Sequence, residues 1–316
     1  MRRDSGLRAT AFGVLLSMIG VTPAFAQLNT QHIKGTVGLK GGSQPPPNTY
    51  IIAPLIYVYN TDSVKDANGN ALPINTSVTS SAFAGGFNVV TTKKVLGGLY
   101  GFSMLFPAAI NNNLQGANLD AGGAGLTDSA IVPISLGWHF KRADAIAGYT
   151  IYLPTGQFHP LALDNTGFGM WGHEPSVGAT VYLTESHQYH AATVANLTFN
   201  TKKRNTNTQV GTAMNLEGGV GGDFYKGKVT AGLVYYTEWK LSEDTIAGLP
   251  GTFPLGKNSV FALGPEVQLA LERGGTLYGF VKVNYQWEAY ARVTTQGSEL
   301  TVLATFLLKP IKLPGT

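Results

Sequence analysis

The sequence predicts an all-β fold, a transmembrane antiparallel β-barrel of about twelve strands. Three observations lead there. Apolar and polar side chains alternate along nearly the whole chain after residue 48, which is the two-residue period of a strand. Charged residues make up only 13% of 316 residues, while hydrophobic ones reach 44%. That balance is too apolar for disorder and thin in charge for a soluble β-sandwich, whose wet face would need more of it. After the N-terminus no apolar run approaches the ~18 residues that a spanning helix requires. A membrane protein of this composition therefore crosses with strands.

Taken in order, residues 1–26 read as a secretory signal peptide. Arg2, Arg3 and Arg8 precede the apolar run Ala11 to Val21, Pro23 breaks it, and Ala24-Phe25-Ala26 supplies the small residues for cleavage between Ala26 and Gln27. That run is too short to span ~30 Å of hydrocarbon. Residues 27–48 are Gly-rich, end in Gln44-Pro-Pro-Pro-Asn48 and lack strand-length alternation. They form either an extended lead-in to the barrel or a plug within it.

Residues 49–309 are assigned to the barrel. The clearest strand is Thr276 to Arg292, where Leu277, Val281, Val283, Tyr285 and Trp287 alternate with Lys282, Asn284, Gln286 and Glu288. Segments 128–140, 208–224, 228–241 and 259–272 repeat the pattern, and weaker versions occur at about 49–60, 78–92, 95–106, 143–154, 175–184, 187–201 and 297–309. Several exceed the usual globular strand of ~5–6 residues and suit a tilted bilayer crossing. Turn clusters fall at Asp66–Asn70, Ala121–Gly125, Tyr225–Gly227 and Arg273–Gly275. Tyr57/Tyr59, Tyr235/Tyr236/Trp239 and Tyr285/Trp287/Tyr290 near strand ends read as interfacial girdles. Residues 310–316 are left as a tail.

Several functions are disfavoured by composition. With no cysteine, thiolate chemistry and Cys-based metal sites are excluded. A net charge of +4 with no basic block beyond Lys202-Lys203-Arg204 disfavours nucleic acid as a partner. No Gly-x-Ser-x-Gly string occurs, and in His173-Glu174-Pro175 the proline stops any zinc-protease helix. No cofactor, metal or catalytic site is expected. Gly218-Gly-Val-Gly-Gly222 lies in an alternating segment without a following helix, so its glycines thin the wall or ease bending rather than cradle phosphate.

A charge on the lipid face costs a few kcal/mol near the midplane. Parity thus turns Glu217, Glu238, Glu266, Lys282, Glu288 and Arg292 inward, with His139 also on the lumen side. There they brace the pore or set its selectivity. The same parity places Tyr278, Phe280 and Tyr290 inward as surfaces for an apolar solute. The loop 155–175 offers Asn165, Phe168, Trp171 and His173 on a Gly-hinged segment, either as a ligand-binding gate or as a cap without a ligand.

Several strings resemble the outer-membrane family named for the meta-pathway of phenol degradation: Gly98-Leu-Tyr-Gly-Phe-Ser-Met-Leu-Phe-Pro107, Leu136-Gly-Trp-His-Phe140, Tyr152-Leu-Pro-Thr-Gly156, Asn165-Thr-Gly-Phe-Gly-Met-Trp171 with Glu174-Pro175, and Ala262-Leu-Gly-Pro265. The resemblance spans about residues 45–306. It implies a Gram-negative outer-membrane barrel, loosely akin to channels for fatty acids and aromatic hydrocarbons, that passes small hydrophobic or aromatic compounds. Its partners would be the solute, outer-membrane lipid and lipopolysaccharide, and the outer-membrane assembly machinery. A non-transporting structural or adhesive barrel is the alternative. A barrel-borne lipid hydrolase using His139 is a third.

Overall fold

The computed structural model describes residues 28–106, 109–116, 119–160, 162, 164–246 and 257–313. The signal peptide with its Ala26/Gln27 junction lies outside them. The strands are β1 (Thr49–Val64), β2 (Thr76–Val95), β3 (Gly98–Leu105), β4 (Ala109–Gly116), β5 (Leu119–Leu126), β6 (Ser129–His139), β7 (Ala143–Leu153), β8 (Gly172–Tyr182), β9 (Tyr189–Asn200), β10 (Ala213–Phe224), β11 (Val229–Lys240), β12 (Ser259–Arg273), β13 (Thr276–Arg292) and β14 (Thr295–Lys312). All pair antiparallel. Because β1 pairs with both β14 and β2, the sheet closes into a 12-strand barrel. The barrel includes residues 310–312, which the sequence had assigned to a tail.

The ring runs β1, β2, β3, β6 and on through β14. β4 and β5 extend it on one side. β2 pairs with β3 over Gly86–Val95 and with β4 over Thr76–Phe83. β5 pairs with β4, and the chain after β7 lies along its other side, where Thr166 Oγ1 donates to the Leu126 carbonyl at 2.7 Å. Ala121–Gly125 is therefore strand and not turn. Small residues gave it no alternation to read.

The two ends of the barrel differ. One rim has short connections: Leu96-Gly97, 140–142, 183–188, 225–228 and Gly274-Gly275. The other carries the longer loops, including 154–171, 201–212 and the stretch after β11. The outer wall is an apolar band: Ile52, Ile56, Val177, Leu233, Val267, Val283 and Leu300 are 38–61% exposed. An array of this kind is stable only against hydrocarbon or a partner surface. Tyr285 and Trp287 stand in it as neighbouring rings. Tyr57 and Tyr59 do not belong to a girdle. They point inward, donating to Glu299 at 3.1 Å and Glu288 at 2.9 Å, and so does Tyr236, fully buried with its hydroxyl donating to Glu288 at 2.9 Å.

β13 shows where parity fails. Over 281–288 it alternates as expected, with Val283 41% exposed and Asn284 1%. Register shifts between Leu277 and Gly279, and opposite Phe261/Ala262 near its far end, each reset the alternation. A bulge adds one residue and turns every following side chain to the other face. Leu277 and Ala291 are consequently buried, while Tyr278 (45% exposed), Tyr290 (47%) and Arg292 face outward. The inward assignment of these three is corrected. Phe280 keeps its inward place, packed beside Leu277 and Leu307.

Candidate functional site

The lumen holds the N-terminal segment 28–48. It enters at the long-loop rim, where Leu28 packs on Met170 and Val210 and its carbonyl accepts from Lys240 Nζ at 2.9 Å. It leaves at the short-turn rim, where Lys40 pairs with Asp223 at 2.6 Å and Gln44 Nε2 donates to Ser135 Oγ at 3.1 Å. Thr49 then begins β1. The segment is thus a strap running the length of the pore.

The strap is held by carboxylates on the wall. Glu174, Glu217, Glu238, Glu266, Glu288 and Glu299 are all at most 6% exposed. His32 lies between two of them, Nδ1 3.0 Å from Glu174 and Nε2 2.7 Å from Glu217. Tyr152 and Thr198 hydroxyls donate to the same Glu174 at 3.1 and 2.7 Å. Lys34 Nζ stands 3.9 Å from Glu238 and 5.8 Å from the Tyr236 ring centre. Glu266 accepts from the Leu39 backbone at 3.0 Å and faces Lys282 at 3.7 Å. Buried carboxylates with so few wall cations are tolerated because the strap brings Lys34, Lys40 and a row of backbone donors.

Backbone carbonyls of the strap are also gripped. Lys282 Nζ donates to Thr36 at 2.7 Å, Asn284 Nδ2 to Gly35 at 3.0 Å, and Gln286 Nε2 to Gly35 at 3.2 Å. Gly38 has φ +80°, and a Cβ there would come within 2.8 Å of the Glu266 oxygens and the Lys282 amine. Only glycine fits that approach.

The glycine run in β10 has a specific use. Gly219, Gly221 and Gly232 of the neighbouring β11 leave a shallow socket filled by Leu39, 2% exposed; a Cβ on any of them would lie 2.8–3.0 Å from its methyl groups. The glycines do thin the wall, and the thinning seats an apolar side chain of the strap.

Elsewhere the wall carries two apolar clusters. Leu55, Ala84, Leu105 and Leu303 cluster inside β1, β2, β3 and β14. Below them Ile51, Leu277, Leu307 and Phe280 form a second cluster toward the short-turn rim. The lumen lining thus combines buried carboxylates with two apolar clusters, and on β1 and β14 the carboxylate Glu299 and the hydroxyls of Tyr57 and Tyr59 continue the wall beyond those clusters.

The other sequence candidates are placed as follows. His139 sits near the short-turn rim with Nδ1 2.9 Å from Asp144, whose second oxygen accepts from Tyr182 at 2.7 Å. Loop 154–171 packs onto the head of the strap. Gln31 donates to Asp128 and to the Met170 carbonyl, and Asp128 also takes the backbone N–H of Gly156 and Phe168. Asn165 closes the loop on itself through His159. Phe168 and Phe158 flank the Lys203 amine at 5.6 and 5.3 Å. Burial pushes that amine down to about 8, against the pull of Asp128 and Asp244. Trp171 is 46% exposed, and His173 and Glu174 belong to β8. Sequence reasoning missed Glu174, Glu299, His32, Lys34 and Leu39 as a set. Their one signal was a segment with lysines but no acid, set against a chain whose inward positions favour glutamate.

The architecture defines a closed antiparallel β-barrel with an apolar outer band and a strap in its lumen. It is similar to the COG4313 outer membrane channel from Pseudomonas putida F1, with a TM-score of 0.73 and 11% identity, covering 88% of this chain and 100% of that one. The β domain of the Bordetella autotransporter BrkA aligns at TM-score 0.48, 12% identity, 83% of this chain and 100% of that. No curated protein sequence matches the chain. The chain belongs to the family described as putative MetA-pathway of phenol degradation, which matches residues 61–303.

Proposed function

We propose that this barrel sits in a Gram-negative outer membrane and passes small hydrophobic or aromatic compounds down their gradient. The apolar clusters inside a closed barrel carry the reading. A wholly polar lining would serve hydrated solutes, whereas Leu55, Ala84, Leu105 and Leu303 in one cluster and Ile51, Leu307 and Phe280 in a second offer apolar side chains to an apolar solute. Transfer onto such a surface gains about 25 cal/mol per Å² of apolar area removed from water. The strap, held by Glu174, Glu217, Glu238, Glu266 and Lys282, narrows the passage and sets what fits beside it. Asn165, Phe168 and Trp171 cap the entry at the long-loop rim, facing lipopolysaccharide, and His139 stands near the exit. The short-turn rim then faces the periplasm, as in bacterial barrels, and assembly machinery inserts the chain after cleavage at Ala26. The resemblance to channels fits a protein that is not an enzyme.

Flux of a fluorescent aromatic solute into vesicles bearing the purified folded chain tests the reading. Transport above protein-free vesicles is expected, with a loss when Leu55 and Leu303 are changed to Gln. No flux for any aromatic or alkyl solute would leave a structural or adhesive barrel. Esterase activity abolished by His139→Ala would point to a hydrolase instead.

A further inference from the structure

We propose that the short-turn rim is a binding ring for anionic phospholipid headgroups. The inference rests on the outer-membrane reading, which puts this rim in the periplasmic leaflet. Exposed bases there are attached to exposed apolar tips. At the end of β2 Lys93 and Lys94 stand just before Leu96, 85% exposed in the β2–β3 connection. The β6–β7 connection joins Phe140, 60% exposed, to Lys141 and Arg142. The β10–β11 connection joins Tyr225, 78% exposed, to Lys226. The foot of β14 repeats the pair with Leu308, 63% exposed, and Lys309.

Acids do not balance these bases. Among the described residues of this rim, Glu185 is exposed, and Glu272 is engaged by Lys228 at 3.3 Å. Asp144 and Asp223 turn inward onto His139 and Lys40. The long-loop rim is different: there Arg204, Lys257 and Arg292 are interspersed with Asp62, Asp164 and Glu243, all exposed. The excess of positive charge is a property of one end.

Its distribution selects the partner. In the 12-strand ring the β2–β3 and β10–β11 connections are separated by half the circumference. A protein docking on one side would meet only part of such a ring, but annular lipids meet all of it. An apolar tip beside each base is the arrangement in which the tip dips toward acyl chains while the ammonium or guanidinium reaches a phosphodiester. Guanidinium and ammonium donors match phosphate oxygens, and attraction to an anionic surface falls off within a Debye length.

The test folds the full chain into phosphatidylcholine vesicles and into an equimolar phosphatidylcholine–phosphatidylglycerol mixture, with folding followed by heat-modifiable gel mobility. Lipids retained by the folded barrel are then counted by native mass spectrometry. Wild type is expected to retain phosphatidylglycerol over phosphatidylcholine in a ratio of about five to one at each site with an engaged base, the excess shrinking at high salt. Lys93→Gln/Lys94→Gln and Lys141→Gln/Arg142→Gln/Lys226→Gln should each reduce that excess, while Arg204→Gln/Lys257→Gln on the other rim should not. Equal retention of both lipids by the folded wild type would overturn the ring, and so would an excess untouched by any short-turn substitution. Binding of polyglutamate without lipid preference would overturn it in favour of a protein partner. Failure of the wild type to fold in either vesicle would strike the outer-membrane reading itself, an outcome separable from the others.

Discussion

Leu39→Ala is the most direct way to loosen the strap without touching a charge. Leu39 is 2% exposed in its socket against Gly219, Gly221 and Gly232. The substitution removes three carbons. At about 0.8 kcal/mol per buried methylene the transfer loss is roughly 2.4 kcal/mol. The socket walls are backbone of a hydrogen-bonded sheet and cannot collapse, so a cavity term brings the total to about 3 kcal/mol. If that energy separates strap-in from strap-out, the strap-out population rises about a hundredfold. The Leu39 amide still donates to Glu266, so the polar ties remain as controls. Planar-bilayer recording on the folded variant reads the outcome as a rise in the time spent at the larger conductance. An unchanged record, with unchanged heat-modifiable mobility, would show that Leu39 does not hold the strap.

Other expectations follow from the same geometry. Val283→Arg puts a cation on the apolar outer band and should cost about 2–4 kcal/mol if it lies near the midplane, seen as a smaller folded fraction in vesicles; full folding would refute the facing of β13. Asn284→Arg, one residue on, should fold but disturb the grip on Gly35 and raise conductance, whereas Arg292→Gln should leave conductance unaltered because that side chain points outward. For Lys203, folded near 8 and unfolded near ~10.4, the unfolded chain holds the extra proton between those values. Stability of the loop cap should therefore climb with pH across that window and stay level below it. Nuclear magnetic resonance of ¹³C-methylated lysine gives the midpoint, and a value above 10 would refute the burial argument.

Much of the wall was legible in the sequence because its rule is local. Where one face meets lipid and the other meets polar groups, each residue states its side, as Val283 and Asn284 do. The failures have physical causes. Tyr278, Tyr290 and Arg292 lie beyond bulges, and a bulge is a change in count that composition does not mark. β4 and β5 are built from Asn, Gly and Ala, which carry little hydrophobic contrast. The charged lining of the lumen was half visible: Glu217, Glu238, Glu266, Lys282 and Glu288 followed from parity. Glu174 was hidden beside a proline in a stretch read as loop, and Glu299 in a weak strand. The pairing of these acids with residues 142 to 227 positions away is a matter of closure. No window of sequence contains it.

The opposite charges of strap and wall tie any clearing of the pore to its surroundings. Removing Lys34 and Lys40 from Glu238 and Asp223 leaves the tunnel electrically lopsided, and the imbalance must be met by counter-ions drawn from the medium. By mass action, brackish or divalent-rich water would then favour the cleared state. On the proposed channel reading, the ionic makeup of the habitat would then help to decide how readily solutes cross.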